Sequence, residues 1–190
     1  MKRVYFIRHG QSEWNVADRI CGMTDIPLTD EGRAQADRAG ALFVSRGLRA
    51  DRILYSPLSR AAETAVRVSR VTGLPARADE RLREQHFGRW EGTSPRNSAA
   101  FTRAKQQFVC SFSGGESMLR LAQRVYNLLD ELRGDDSCEA CILVAHNGIA
   151  RVVHSYFFDM TNEEYAAFGA GNCEILTYEF AAGRGSDPHA

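Results

Sequence analysis

Two histidines of this 190-residue chain stand in the same setting, and that setting could do chemistry on an anion. His9 follows Val4-Tyr5-Phe6-Ile7-Arg8 and precedes Gly10. His146 follows Cys141-Ile142-Leu143-Val144-Ala145 and precedes Asn147-Gly148. Each apolar run reads as a short buried strand. In an open α/β sheet, ligands sit beyond the carboxyl ends of the strands, so both imidazoles are expected there. Gly10 is expected to let the chain turn sharply away from His9. After His146, residues Ile149, Val152, Val153 and Tyr156 fall at i, i+3, i+4 and i+7, the stripe of an amphipathic helix. A lone Arg-His pair after a strand is as readily an ordinary surface turn. The second copy of the pattern, far downstream, argues for a shared site.

Arg8 and Arg60 add positive charge. Ser56-Pro57 reads as a helix start, with serine as N-cap and proline at the first position. Leu58, Ala61, Ala62, Ala65 and Val68 form the buried stripe, and Arg60 lies in the first turn. A helix N-terminus favours anions, and arginine adds a bidentate clamp for phosphate or carboxylate. Taken alone, Arg60 reads more simply as a solvated surface residue. Together, Arg8, His9, Arg60 and His146 would hold a dianion. Phosphate fits best, because each of its free oxygens can accept a charge-assisted hydrogen bond. A neutral imidazole is a competent nucleophile toward phosphorus, and flanking arginines keep its electron pair free. A carboxylic acid would still be needed to protonate the leaving oxygen.

The elements that must position these groups follow in order. Gln11 to Leu28 is a polar, irregular stretch containing Trp14, Asn15 and Gly22, of a length usually tied to function. Thr29 caps a helix running to about Arg46, with Ala36, Ala39 and Phe43 inward and Gly47 ending it. Ile53 to Tyr55 is a short strand. Gly73-Leu74-Pro75 turns the chain into a charged run, Asp79 to Glu84, and then an ordered loop, Gln85 to Gly92. Thr93 to Ser113 reads as a polar helical insert containing Phe101 and Phe108. Met118, Leu121, Val125, Leu128, Leu129 and Leu132 line one face of a helix from about Glu116 to Leu132. Thr161 or Asn162 caps a short helix, and Glu174 to Phe180 is a final strand. The alternation predicts a three-layer α/β/α fold with a mostly parallel sheet. Residues 1–180 form a single domain, with residues 93–113 as a short helical cap insert. Residues 181–190 read as a disordered tail.

Composition narrows the class. The chain is 44% hydrophobic and 25% charged, with a formal net charge of zero. No global field draws it to nucleic acid or to a membrane, so any anion specificity is local. The apolar stretch after Met1-Lys2-Arg3 is too short for a signal peptide, and nothing reaches transmembrane length. The five scattered cysteines suggest reduced thiols and a cytoplasmic location. Cys138-Glu139-Ala140-Cys141 has C-x-x-C spacing but no second ligand pair for zinc, and it precedes a strand, which favours a structural role.

Several segments together resemble the histidine phosphatase superfamily, also called phosphoglycerate mutase-like. They are Arg8-His9-Gly10 with Asn15, then Thr24-Asp25-Ile26-Pro27-Leu28-Thr29, then Ser56-Pro57-Leu58-Ser59-Arg60-Ala61. Glu84-Gln85-His86-Phe87-Gly88-Arg89-Trp90-Glu91-Gly92, Gly114-Gly115-Glu116-Ser117 and His146-Asn147-Gly148 follow. The match runs from about Lys2 to Phe180. The resemblance implies that His9 attacks phosphorus and becomes phosphohistidine, while Arg8, Arg60 and His146 bind the transferring group. It implies that Asn15 and Gly22 help to line the substrate pocket. Glu84 matches the family's general acid; Glu80 and Glu91 are nearby carboxylates that read as surface residues. His86 and His154 are assigned structural roles. No metal or other cofactor is implied, because the cationic side chains supply the charge.

Mutases of this superfamily carry a long insert that shields the site from water. Here the corresponding span is only Thr93 to Ser113, which favours hydrolysis over transfer. The expected activity is therefore a phosphatase acting on small phosphomonoesters, of the broad-specificity or ribazole-phosphatase kind. A cofactor-dependent phosphoglycerate mutase is the alternative, and an inactive phosphate-binding module is a further one. Arg96, Arg103 and Lys105 read as solvating the insert rather than meeting a second acidic group on the substrate. The physiological substrate is left open, as is the oligomeric state, a dimer included.

Overall fold

The computed structural model describes residues 2–94, 99–112 and 114–181. Among them, the strands are β1 (Arg3–Arg8), β2 (Arg52–Tyr55), β3 (Ala76–Ala78), β4 (Ala140–Ala145) and β5 (Ile175–Glu179). They form one sheet in the order β3-β2-β4-β1-β5. β1 pairs parallel to β4, β4 to β2, and β2 to β3; β5 runs antiparallel along β1. The two histidine-bearing strands are thus neighbours with a common direction, Arg8 opposite Ala145.

Alternation along these strands divides the core. Val4, Phe6, Cys141 and Leu143 face one layer, while Tyr5, Ile7, Ile142 and Val144 face the other. The first layer is built on helices α5 (Met118–Gly134) and α6 (Asn147–Phe157), through Leu121, Val125, Leu128, Val152 and Val153. The second is built on α2 (Asp30–Ser45) and α3 (Ser59–Thr72), through Ala39, Phe43, Ala65 and Val68. This is the expected three-layer α/β/α arrangement. β4, covered on both sides, is buried at every position.

Local signals were sound in most places. Thr29 caps α2, its hydroxyl accepting the Gly32 N–H at 3.0 Å, and Gly73 ends α3 in the left-handed region at φ 73°. The start of α3 differs from expectation. The helix begins at Ser59 after Leu58, and Ser56 does not cap it. The Asp25 carboxylate, 34 residues upstream, accepts the Ser59 N–H at 2.8 Å instead. The stretch expected to be irregular contains a single turn, α1 (Glu13–Val16), held by a reciprocal capping box between Ser12 and Asn15. β3 was not anticipated, because three residues are too few to show a period. The insert is helical only over α4 (Ala99–Lys105) among the described residues, and its Phe101 packs with Phe87, Phe112 and Trp90. A seventh helix, α7 (Asn162–Ala167), is capped by Thr161. Arg96 and the tail beyond Ala181 lie outside the described residues. Cys138 and Cys141 are both buried in the α5–α6 layer. No described helix is long and apolar enough to cross a membrane.

Candidate active site

The sheet brings Arg8 and His9 from β1 beside His146 from β4. The His9 and His146 ring centroids are 5.1 Å apart, the planes inclined at 59°. His9 Nδ1 lies 2.7 Å from the Gly10 carbonyl oxygen. A carbonyl only accepts, so Nδ1 carries the proton and the Nε2 electron pair is free. Gly10 is required by close approach rather than by the turn expected. It has no positive φ, and a Cβ there would collide with the Gly32 backbone of α2. That contact presses the loop after His9 against α2. The Gly10 N–H donates to the Thr64 hydroxyl at 3.1 Å, and Asn172 Nδ2 donates to the His9 carbonyl at 2.8 Å.

Both imidazoles are held well below their ordinary pKa. Burial is the largest cause in each case, followed by the Arg60 charge. Arg8 reinforces the effect, and His146 also feels His9. Both rings are therefore neutral near pH 7. Burial likewise lowers the Arg8 pKa from its ordinary value, but an arginine remains charged.

A cleft of about 260 Å³ opens over His9. Arg8, Asn15, Glu84 and Gly148 line it. Glu84 is 4% exposed, and both its oxygens are engaged. Oε1 accepts the Gln85 N–H at 2.8 Å, and Oε2 accepts the Gly148 N–H at 3.0 Å. A side chain at residue 148 would collide with that carboxylate, which gives Gly148 its reason. The neighbouring acids are engaged elsewhere. Glu91 accepts the N–H groups of Met23, Thr24 and Phe87 and the Thr24 hydroxyl, pinning the loop above the site. Glu80 pairs with Arg83 at the surface.

Arg60 is fully buried, so it is not the solvated surface residue its position alone suggested. Its terminal nitrogens donate to the carbonyls of Gly22 at 2.7 Å and Thr24 at 2.9 Å. A guanidinium has five N–H groups, and Nε has no hydrogen-bond partner among the described residues. Arg60, Gly22 and His146 are all buried, and the His146 ring packs beside the cleft-lining His9. Gly22 is confined by Glu91 and the Gln85 carbonyl, with no room for a Cβ. Asn15 Oδ1 accepts the Ser12 N–H at 3.0 Å, which fixes the side chain at the cleft.

Several site residues were missed in the sequence. Arg19 and Arg151 line the cleft, and so does Lys105, whose place in the polar insert suggests only a solvated helix. Arg151 donates to the Phe168 carbonyl at 2.7 Å. Arg151 could have been suspected from its place one turn into the helix after His146; Arg19 carries no such signal. Glu116 of the Gly-Gly-Glu-Ser segment forms a bidentate pair with Arg124, at 2.9 Å on each side. The same guanidinium donates to the Glu84 carbonyl at 3.3 Å, and Gln85 Nε2 donates to the Glu116 carbonyl at 3.1 Å. That segment therefore braces the loop carrying Glu84. His86 is half-buried, 3.6 Å from Glu91, and His154 stacks on Phe168 at 4.1 Å, a packing role as expected.

The chain matches the family model described as histidine phosphatase superfamily, branch 1, over residues 4–186. It is 31% identical over 181 residues to a glucosyl-3-phosphoglycerate phosphatase of Mycobacterium tuberculosis, covering 88% of this chain and 80% of that protein. A 2,3-bisphosphoglycerate-dependent phosphoglycerate mutase of Caulobacter vibrioides is 36% identical over 102 residues, 52% of this chain and 43% of that one. Among solved structures, a mycobacterial glucosyl-3-phosphoglycerate phosphatase complexed with VO3 superposes with a TM-score of 0.82 at 30% identity, covering 93% of this chain and 92% of that one. A phosphoserine phosphatase of Entamoeba histolytica in complex with 3-phosphoglyceric acid gives 0.79 at 28% identity, covering 95% and 91%. Matched along nearly its whole described length, with two imidazoles meeting at the sheet edge, the chain belongs to the histidine phosphatase superfamily.

Proposed function

We propose that the protein hydrolyses small phosphomonoesters through a phosphohistidine formed on His9. The observation that carries this reading is the His9 ring itself. Its Nδ1 is committed to the Gly10 carbonyl, which leaves the Nε2 electron pair for the cleft. In the first step that pair forms an N–P bond while the P–O ester bond breaks, and Glu84 gives its proton to the leaving alkoxide. In the second, the Glu84 carboxylate takes a proton from water. The water oxygen bonds to phosphorus, the N–P bond breaks, and its electrons return to Nε2. Arg8, Arg60 and His146 offset the charge of the transferring group. Arg60 acts from beneath the 22–24 loop, where the Gly22 carbonyl holds it.

Substrate charge is read from the wall. Arg8, Arg19, Lys105 and Arg151 face the cleft, against Glu84 as the carboxylate among the described wall residues. That surplus favours a phosphomonoester with a further acidic group. The similar phosphatase whose name includes phosphoglycerate, and the one solved with 3-phosphoglyceric acid, support the same class. The short α4 supports hydrolysis over transfer, since it leaves water access to phosphohistidine. Five free thiols support a cytoplasmic location.

The test is phosphate release from glucosyl-3-phosphoglycerate, 3-phosphoglycerate and p-nitrophenyl phosphate, with no bisphosphoglycerate added, alongside alkali-quenched trapping of the labelled enzyme. Sustained release with base-stable, acid-labile phosphate on His9 is expected. Release that needs bisphosphoglycerate would identify a mutase, and neither release nor labelling would leave a phosphate-binding module.

A further inference from the structure

Ser56 directly follows β2 and is fully buried. Its N–H donates to the Val144 carbonyl at 3.0 Å, so the sheet itself sets it beside the strand that ends at His146. Its hydroxyl oxygen lies 2.7 Å from His146 Nε2. The same oxygen accepts the Leu58 N–H at 3.4 Å. On the far side of the ring, His146 Nδ1 is buried and has no hydrogen-bond partner among the described residues.

Two proton arrangements satisfy the 2.7 Å contact, and they are not equal. If His146 Nε2 donates, the buried Ser56 O–H has no acceptor shown among the described residues and Nδ1 is a bare acceptor, so two buried groups go unpaired. If the hydroxyl donates to Nε2, only the Nδ1–H is left without a partner. Each buried unpaired polar group carries an uncompensated desolvation cost, so the arrangement with one such group prevails over the one with two. It leaves a neutral imidazole with a single N–H to offer, 5.1 Å from the His9 ring.

We propose that Ser56 is a positioning residue that fixes His146 as an Nδ1–H donor toward a phosphoryl oxygen. The role rests on the phosphatase reading above. It also explains why a serine stands at the end of β2 without capping α3.

The test is the ring tautomer in the full-length protein. Long-range ¹H–¹⁵N correlation spectra of histidine-labelled enzyme distinguish Nδ1–H from Nε2–H, and His146 is identified by the loss of its signal in His146→Gln. Wild type is expected to show His146 protonated at Nδ1 alone. Ser56→Ala is expected to give mixed tautomers and to lower kcat by about tenfold to a hundredfold with little change in KM. That is less than the roughly 10²–10³ lost when a preorganised donor is removed outright. Ser56→Thr, which retains the hydroxyl, is expected to restore both. A wild-type His146 protonated at Nε2 would overturn the assignment, as would a Ser56→Thr enzyme as slow as Ser56→Ala with wild-type tautomer. Failure of the wild type to release phosphate from any ester would sink the phosphatase reading instead, with the tautomer still readable.

Discussion

His9 and His146 stand at equivalent ends of adjacent parallel strands, each followed closely by a glycine, yet the fold completes them differently. At His9 a carbonyl takes the proton side of the ring and leaves Nε2 with its electron pair. At His146 a hydroxyl sits on Nε2, leaving Nδ1 on the other side. The glycines differ too. Gly10 lets α2 press against the backbone, whereas Gly148 makes room for the Glu84 carboxylate. In the proposed mechanism, one motif therefore presents the nucleophile, and the other gathers a donor and an acid. Repetition in sequence signals a shared location; the chemistry of each copy is set by what the surrounding fold places on each ring nitrogen.

The largest expected break in that comparison is His9→Ala, which removes the proposed nucleophile and should lower turnover by roughly 10⁴-fold or more, with no phosphoenzyme. Rapid-quench labelling checks it, and unchanged turnover would refute the covalent route. Glu84→Gln keeps the shape but not the proton and should slow phosphate release by about 10²–10⁴-fold. The loss should be greater for alkyl phosphates than for p-nitrophenyl phosphate, whose leaving group needs no acid; equal losses would point to another acid. His146→Ala should cost about 10²–10³-fold in kcat while labelling of His9 persists. If it instead abolished labelling as His9→Ala does, the division of roles between the two rings would fail.

The smallest effect is on stability. Both rings have a folded pKa depressed below the unfolded value near 6.5. Between those values the unfolded chain binds more protons than the folded one. Stability is therefore full above about pH 6.5 and falls as pH drops below it, by up to about 1.4 kcal/mol per pH unit for each histidine. Urea unfolding of wild type and His9→Asn between pH 7.5 and 5.5 measures this. The variant should show the shallower acid slope, and parallel curves would mean that His9 is not buried neutral.

Much of this was legible before folding. The apolar runs before His9 and His146, the stripe after His146 and the Thr29 cap are local patterns, and they survive because nearest-neighbour geometry sets them. Arg60 was legible as a position but not as an environment. Its first-turn placement suggested solvent, and the 22–24 loop closes over it. Glu84 stood out from Glu80 and Glu91 only by motif; the structure separates them by what each carboxylate accepts. Lys105 could not be told from a solvating lysine, since the sequence does not say which way a seven-residue helix faces.

By itself, the sequence determined the buried strands that end at His9 and His146, the helix after His146 and the Thr29 cap, because those properties depend on spacing along the chain. Only the tertiary structure decided which ring nitrogen is free, which carboxylate enters the cleft and which cations surround it. Those outcomes depend on partners such as Ser56 for His146 and Glu84 for Gly148, which lie 90 and 64 residues away. Such pairings arise from strand order and helix packing, and no local pattern encodes them.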